Sequence, residues 1–296
     1  MLGYILGDMY SRSCSFRPPP RLGKHFPLSP DYQLRGRAGA AIMTIETLLE
    51  TPYPQKKFRD LVYGAFIERQ RRLFAEQVVI AQMEGSQDLA IAIDLSFIST
   101  AVPIGLLAIS EEIALLTTPR PTKTHPHREG LCQALDCTGM LMFYAKVIRQ
   151  RNAVLEHIGH QFGYRPQAEL VARTGKGGED DYVAFMVNIM TCIAHSGSLK
   201  EALENGIKMG LREPAFFCIV GAVASTLWGV PKPWAYEISR FIQLHQPHYL
   251  QILLRCETRV GRAQINLIPP KPPLCAPVKR QVSRFLRWAG SSARPL

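Results

Sequence analysis

Three stretches of the 296-residue chain hold side chains whose types and spacing could do chemistry. His125 and His127 sit two apart in the loop TTPRPTKTHPH, a spacing that could present two imidazoles to one metal ion. A metal needs a third ligand, and a loop with three prolines followed by Asp136 offers none convincingly, so helix entry and packing are favoured over a metal role. The glycine-rich TGKGGEDDY at 174–182 places Lys176 among glycines. It lacks the P-loop spacing, and no Ser or Thr follows the lysine, so phosphate cradling is not expected. Glu179, Asp180 and Asp181 could hold a cation, but three acids also suit the positive end of a helix that follows them, and capping is the favoured reading. Arg69, Arg71 and Arg72 cluster on the polar side of a long helix expected over 58–83. A solvated face is the expected role, with a patch for phosphate or an acidic partner as the alternative.

The elements that must position such groups read as helices throughout. The stretch SLKEALENGIKMGLREPAFFCIVGAVASTLWGVPKPW, residues 198–234, organises the rest. Ser198 followed three residues later by Glu201 has the spacing of a capping box. Leu199, Ala202, Leu203, Ile207 and Met209 form an apolar face, with Lys200, Glu201, Glu204, Asn205 and Lys208 expected in water. From 216 to 227 the only polar side chains are Cys218, Ser225 and Thr226, which marks a central core helix. Gly221, Ala222 and Ala224 would admit neighbouring helices closely, and Gly229 with Pro231 ends the helix. Upstream, residues 1–10 read as a short apolar helix broken by glycines and 38–50 as an amphipathic helix. Residues 131–159 read as one or two helices and 235–246 as another, with a break at Pro247.

The frame of 198–234 resembles the ADP-ribosylglycohydrolase family, enzymes of the dinitrogenase-reductase-activating-glycohydrolase type. In that family a GGDTDT turn precedes an apolar helix with a Gly-Ala pair, a Tyr-Gly and an IP-x-x-W corner. Laid without gaps, Gly210, Gly221-Ala222, Trp228-Gly229 and 230–234 take those places. Earlier segments follow in the same order. Gly3, Gly7 and Asp8 match the opening G-x-l-x-G-D helix. Pro103, Ile104 and Gly105 match a segment whose family arginine falls here on Ser99. Thr124, His125 and Pro126 match the T-H entry to a helix.

The resemblance implies an all-α, compact orthogonal bundle around one cleft, and an activity that cleaves the glycosidic bond of ADP-ribose with two magnesium ions. The family's first metal motif, TDDT, falls on Arg35, Gly36, Arg37 and Ala38. In the second, the two Asp positions fall on Arg212 and Pro214 and the following Thr on Ala215. Magnesium wants about six oxygen ligands, and two unit positive charges about 4 Å apart repel by roughly 4 kcal/mol at an effective dielectric of 20. No catalytic residue, no metal ligand and no cofactor is therefore expected. Glu213 is expected to pair locally with Arg212, and Glu46 does not restore a site. If the cleft survives, Arg37 and Arg212 would line its floor and suit an ADP-ribose-like anion, with Asp8, Ser99 and His125 as further candidates. The competing expectation is that the cleft has closed and both arginines face solvent or pair with nearby acids.

Charge is uneven. The net +11 divides into +4 over 1–40, +8 over 255–296 and −1 between. The expected organisation is a helical domain over 1–254, with a Pro- and Arg-rich connector at 11–37 too poor in aliphatics to be core, and a basic Pro-rich tail over 255–296. Within the tail, Val278, Val282, Phe285 and Leu286 stand at helical spacing against Lys279, Arg280, Arg284 and Arg287, a basic amphipathic helix. No run reaches the roughly eighteen apolar residues needed to span a bilayer, and no signal peptide is read at the start. The seven cysteines are odd in number and lack a C-x-x-C pair, so they are expected reduced and buried, as in the cytoplasm. Three functions stay open: a non-catalytic family member that binds or scaffolds, an active hydrolase of ADP-ribosylated substrates, and a helical adaptor whose basic termini bind nucleic acid or an acidic partner.

Overall fold

The computed structural model describes residues 1–13, 21–28, 34, 37–50, 87–121 and 123–261. The expected helix over 58–83 with its arginine cluster, and the basic tail helix at 278–288, lie outside these residues. Every element among the described residues is a helix: α1 (Leu2–Ser13), α2 (Arg37–Glu50), α3 (Gln87–Ile98), α4 (Ala101–Leu107), α5 (Glu111–Thr117), α6 (Arg128–Val147), α7 (Arg151–Phe162), α8 (Glu179–Ala194), α9 (Leu199–Lys208), α10 (Pro214–Trp228), α11 (Lys232–His245) and α12 (Pro247–Val260). The chain is all-α, and the described residues pack as one unit. No helix among them is long and apolar enough to cross a membrane.

α10 forms where expected because both ends are set locally. Glu213 caps it by accepting from the Ala215 N–H, Pro214 occupies its first turn, and Gly229 leaves it at φ 83°. Residues 215–226 are buried all round. α9 starts on Ser198, whose Oγ accepts from the Glu201 N–H at 3.1 Å, while the Glu201 carboxylate accepts from Gly197 N–H at 2.7 Å. Asn205 departs from the amphipathic reading: it is buried, because its Nδ2 donates to His195 O and Ser196 Oγ, tying the end of α8 to α9.

The largest departure concerns α1, an unbroken helix buried from Leu2 to Ser11. Its glycines do not interrupt it. They let its backbone lie against that of α10: a Cβ on Gly3 would meet Gly221 O at 2.1 Å, and one on Gly7 would meet Phe217 O at 1.9 Å. The pairing of 3 with 221 and 7 with 217 makes the two helices antiparallel. A second crossing of the same kind joins α4 to α6, where a Cβ on Gly105 would meet Gly139 O at 1.9 Å.

The connector, too, joins the core more than its composition suggests. Leu22, Phe26 and Leu34 are buried. Phe26 packs edge-on to Trp234 with ring centres 5.3 Å apart and lies beside Tyr10. The Trp234 indole N–H donates to Gly23 O at 3.3 Å, and Glu237 on α11 accepts from the Phe26 N–H at 2.9 Å and contacts His25. A few aromatics with specific hydrogen bonds thus do what many aliphatics would do elsewhere. Pro247 breaks the helix as expected, opening α12, which continues past residue 254 to Val260. Cys137, Cys192, Cys218 and Cys256 are buried free thiols and Cys132 is half-buried.

Candidate functional site

Helix α3 ends in an apolar stretch that carries Asp94 and Ser96, Ser99 follows in the turn after it, and two polar clusters form around this end of the helix. The first gathers residues from four separate parts of the chain. α1 brings Tyr4 and Asp8, the start of α2 brings Arg37, α3 and the turn that follows it bring Ser96 and Ser99, and the start of α10 brings Glu213 and Cys218. Arg37 Nε donates to Ser96 Oγ at 2.9 Å, and its Nη2 lies 3.6 Å from Glu213 Oε1. Ser99 Oγ donates to Ser96 O at 2.7 Å, so the Tyr4 hydroxyl, 2.8 Å away, donates to Ser99 Oγ.

Asp8 is fully buried, its carboxylate 3.6 Å from Arg12 Nη2 on the next turn. Helix α10 covers it, a contact that no local pattern announces. Burial is the main reason that the Tyr4 phenol and the Cys218 thiol both stand well above their ordinary values, with Asp8 adding to each. Burial also raises the Glu213 carboxyl, against the pull of Arg37 and the Ala215 N–H.

The two candidate arginines part company. Arg37 is 14% exposed and paired, whereas Arg212 is exposed to solvent and does not join it. The expected local pair between Arg212 and Glu213 is replaced by the pair between Arg37 and Glu213. Glu213 turns inward to cap α10, which points its carboxylate at α2 rather than at its neighbour in sequence.

The second cluster contains His125. Its Nδ1 accepts from the His127 N–H at 3.3 Å, so Nε2 carries the ring proton and faces the Asp94 carboxylate, 3.2 Å from both oxygens. The Tyr182 hydroxyl donates to the same carboxylate at 2.5 Å. Burial, then the bond to Asp94, raises the Tyr182 phenol above its ordinary value. Both ring nitrogens of His125 are committed, which fits the helix-entry reading. Asp136, the acid weighed as a further ligand, instead pairs with Arg120 at 2.6 Å. Tyr182→Phe removes a buried hydrogen bond to a charged acceptor and should lower unfolding free energy by about 2 kcal/mol in a urea titration at neutral pH.

The glycine-rich loop is likewise held by its own acids. Asp180 pairs with Arg173 at 2.6 Å and accepts from Lys176 N–H, Asp181 accepts from Gly177 N–H, and Glu179 accepts from Gly130 N–H. All three stand in the first turn of α8.

The first cluster does not fit magnesium. Its carboxylates are Asp8 and Glu213, and Glu213 already shares one oxygen between a guanidinium and a helix N–H. Among the described residues no three His, Cys, Asp or Glu side chains gather as a metal-binding group. Among the described residues Ser99 meets no side-chain base, its partners being the Tyr4 hydroxyl and Ser96 O, and burial holds the Cys218 thiol well above its ordinary value. What the cluster does hold is a partly buried guanidinium facing one carboxylate, between two helix starts. Sequence reading finds Asp8, Arg37 and Ser99 but misses Tyr4, Asp94, Ser96 and Tyr182. For Tyr4, Asp94 and Ser96 the available signal was their isolation in the otherwise apolar α1 and α3; Tyr182 stands in α8, where that signal does not apply. Comparison with protein families, with curated proteins and with solved structures finds no match to this chain.

Proposed function

We propose that this chain is an ADP-ribosylglycohydrolase-like protein that performs no hydrolysis and serves a binding or scaffolding role, with an ADP-ribose-like nucleotide as its ligand class. One observation carries the reading. Asp8, Arg37, Ser99 and Glu213 come from segments that the resemblance brings together, and they meet in one cluster. At the position the resemblance gives to a metal-binding carboxylate stands a guanidinium, paired inside the protein. A fixed side-chain cation there stands in for the metal's charge without its Lewis acidity or its bound water. The fold no longer needs the ion, and the chemistry no longer has it.

Exposed Arg212 adds positive charge at the surface but no shaped contact, so ligand binding in this reading rests on Arg37. The test is an assay of ADP-ribose release from an ADP-ribosylated peptide, run with and without magnesium, alongside thermal unfolding over a magnesium titration. No release and no magnesium-dependent rise in Tm are expected. Magnesium-dependent release would overturn the reading.

A further inference from the structure

We propose that Arg37 is the centre of a binding site for a tetrahedral oxyanion of the phosphoryl class, which Glu213 keeps occupied as an internal competitor. The proposal deepens the binding reading above and rests on it for the nucleotide that would carry the phosphoryl group.

A guanidinium has five N–H donors. Among the described residues Arg37 commits one of them, Nε, to Ser96 Oγ at 2.9 Å. On the edge of terminal nitrogens that suits a bidentate oxyanion, Nη2 meets Glu213 Oε1 across 3.6 Å, beyond hydrogen-bond length. The facing Oε1 is already taken as the cap acceptor for Ala215 N–H, at 3.2 Å. Glu213 therefore balances the charge of Arg37 without filling its donors. Of the two side chains, 14% and 26% remain exposed, so an anion in solution can reach the pair.

The surroundings favour an anion as well. Arg37 opens α2 and Glu213 caps α10, and neither helix has an acid in its first turn, so two positive helix ends add to the guanidinium. Burial already disfavours the ionised form of Glu213, and moving that carboxylate out to water relieves part of this cost. An incoming oxyanion that displaces it gains two parallel donors from Arg37, which Glu213 in its present pose does not use.

The experiment is calorimetry on the full chain at low ionic strength. The probes are inorganic sulfate, a tetrahedral oxyanion that does not titrate near neutral pH, and ADP-ribose. Glu213→Gln keeps an oxygen for the Ala215 N–H and removes the competing charge, so sulfate should bind about tenfold more tightly than to the parent chain. Arg37→Lys keeps the charge but loses the fork, and should weaken sulfate about tenfold. ADP-ribose binding more tightly than sulfate, with the same dependence on both residues, would identify a nucleotide as the source of the phosphoryl group. Equal affinities would point to a free oxyanion. Sulfate binding that neither substitution changes, or no sulfate binding in the Glu213→Gln chain, would overturn the proposal. ADP-ribose binding indifferent to both substitutions would sink this site and leave the non-catalytic reading standing, whereas detectable hydrolysis would do the reverse.

Discussion

Gly7→Ala should destabilise the protein by about 3 kcal/mol or more, enough to leave little of a marginally stable fold. The added methyl would sit 1.9 Å from Phe217 O, and the carbon of the same carbonyl would be 2.5 Å away. Both atoms are backbone, in the middle of the core helix α10, so no side-chain rotation relieves the clash. The two helices must move apart instead, and every contact along α1 loosens with them. Gly3→Ala and Gly221→Ala meet the same obstacle, at 2.1 Å and 2.2 Å from each other's side of the crossing. Gly23→Ala is the control, because its nearest neighbour would be His25 O at 4.0 Å and an effect within about 0.5 kcal/mol is expected there. Urea unfolding followed by circular dichroism would measure all four. A Gly7→Ala chain as stable as the parent would show that the helices do not cross as described.

Trp234→Ala ranks second, with an expected loss of about 3–5 kcal/mol. The indole is 1% exposed and is among the largest fully buried side chains. It also fastens the segment at 21–28, through its N–H to Gly23 O and its edge contact with Phe26. Trp234→Phe, which keeps an aromatic ring and deletes the donor, should lose about half as much. Limited proteolysis would separate packing from fastening. The alanine variant is expected to be cut within 21–28 under conditions where the parent is resistant, and equal resistance would show that the segment is held by other contacts.

Much of the fold was legible because its boundaries are local. Ser198 with Glu201, Pro214 and Gly229 each set a helix end through atoms a few residues away, and the structure places α9 and α10 accordingly. What was not legible depends on partners far along the chain. Gly3 and Gly7 read as breaks because glycine weakens an isolated helix; only the backbone of α10 lying against them turns the same residues into a packing surface. Phe26 read as part of a connector outside the core because that stretch is poor in aliphatics, and its partners are Tyr10 and Trp234.

The same division runs through the candidate site. Asp8, Arg37 and Ser99 could be named from position in the sequence, and they do fall in one cluster. Their bonds could not be named, because Glu213 reaches back to Arg37 across most of the chain rather than to adjacent Arg212. His125 similarly finds Asp94 upstream, although Asp136 is nearer in sequence. Charge pairing follows distance in space, and local pairing is a poor substitute wherever a turn directs a side chain inward.

The crossing of α1 with α10 also bears on the order of events during synthesis and refolding. Residues 2–11 are buried almost entirely, yet the surface that buries them is made by residues some two hundred positions later. Closing so long a loop delays the contact relative to local pairs such as α11 with α12. During translation α1 leaves the ribosome long before α10 exists, an apolar segment with nothing to cover it. The glycine seam that makes the finished core tight therefore makes the nascent chain sticky, and folding depends on late docking of α1.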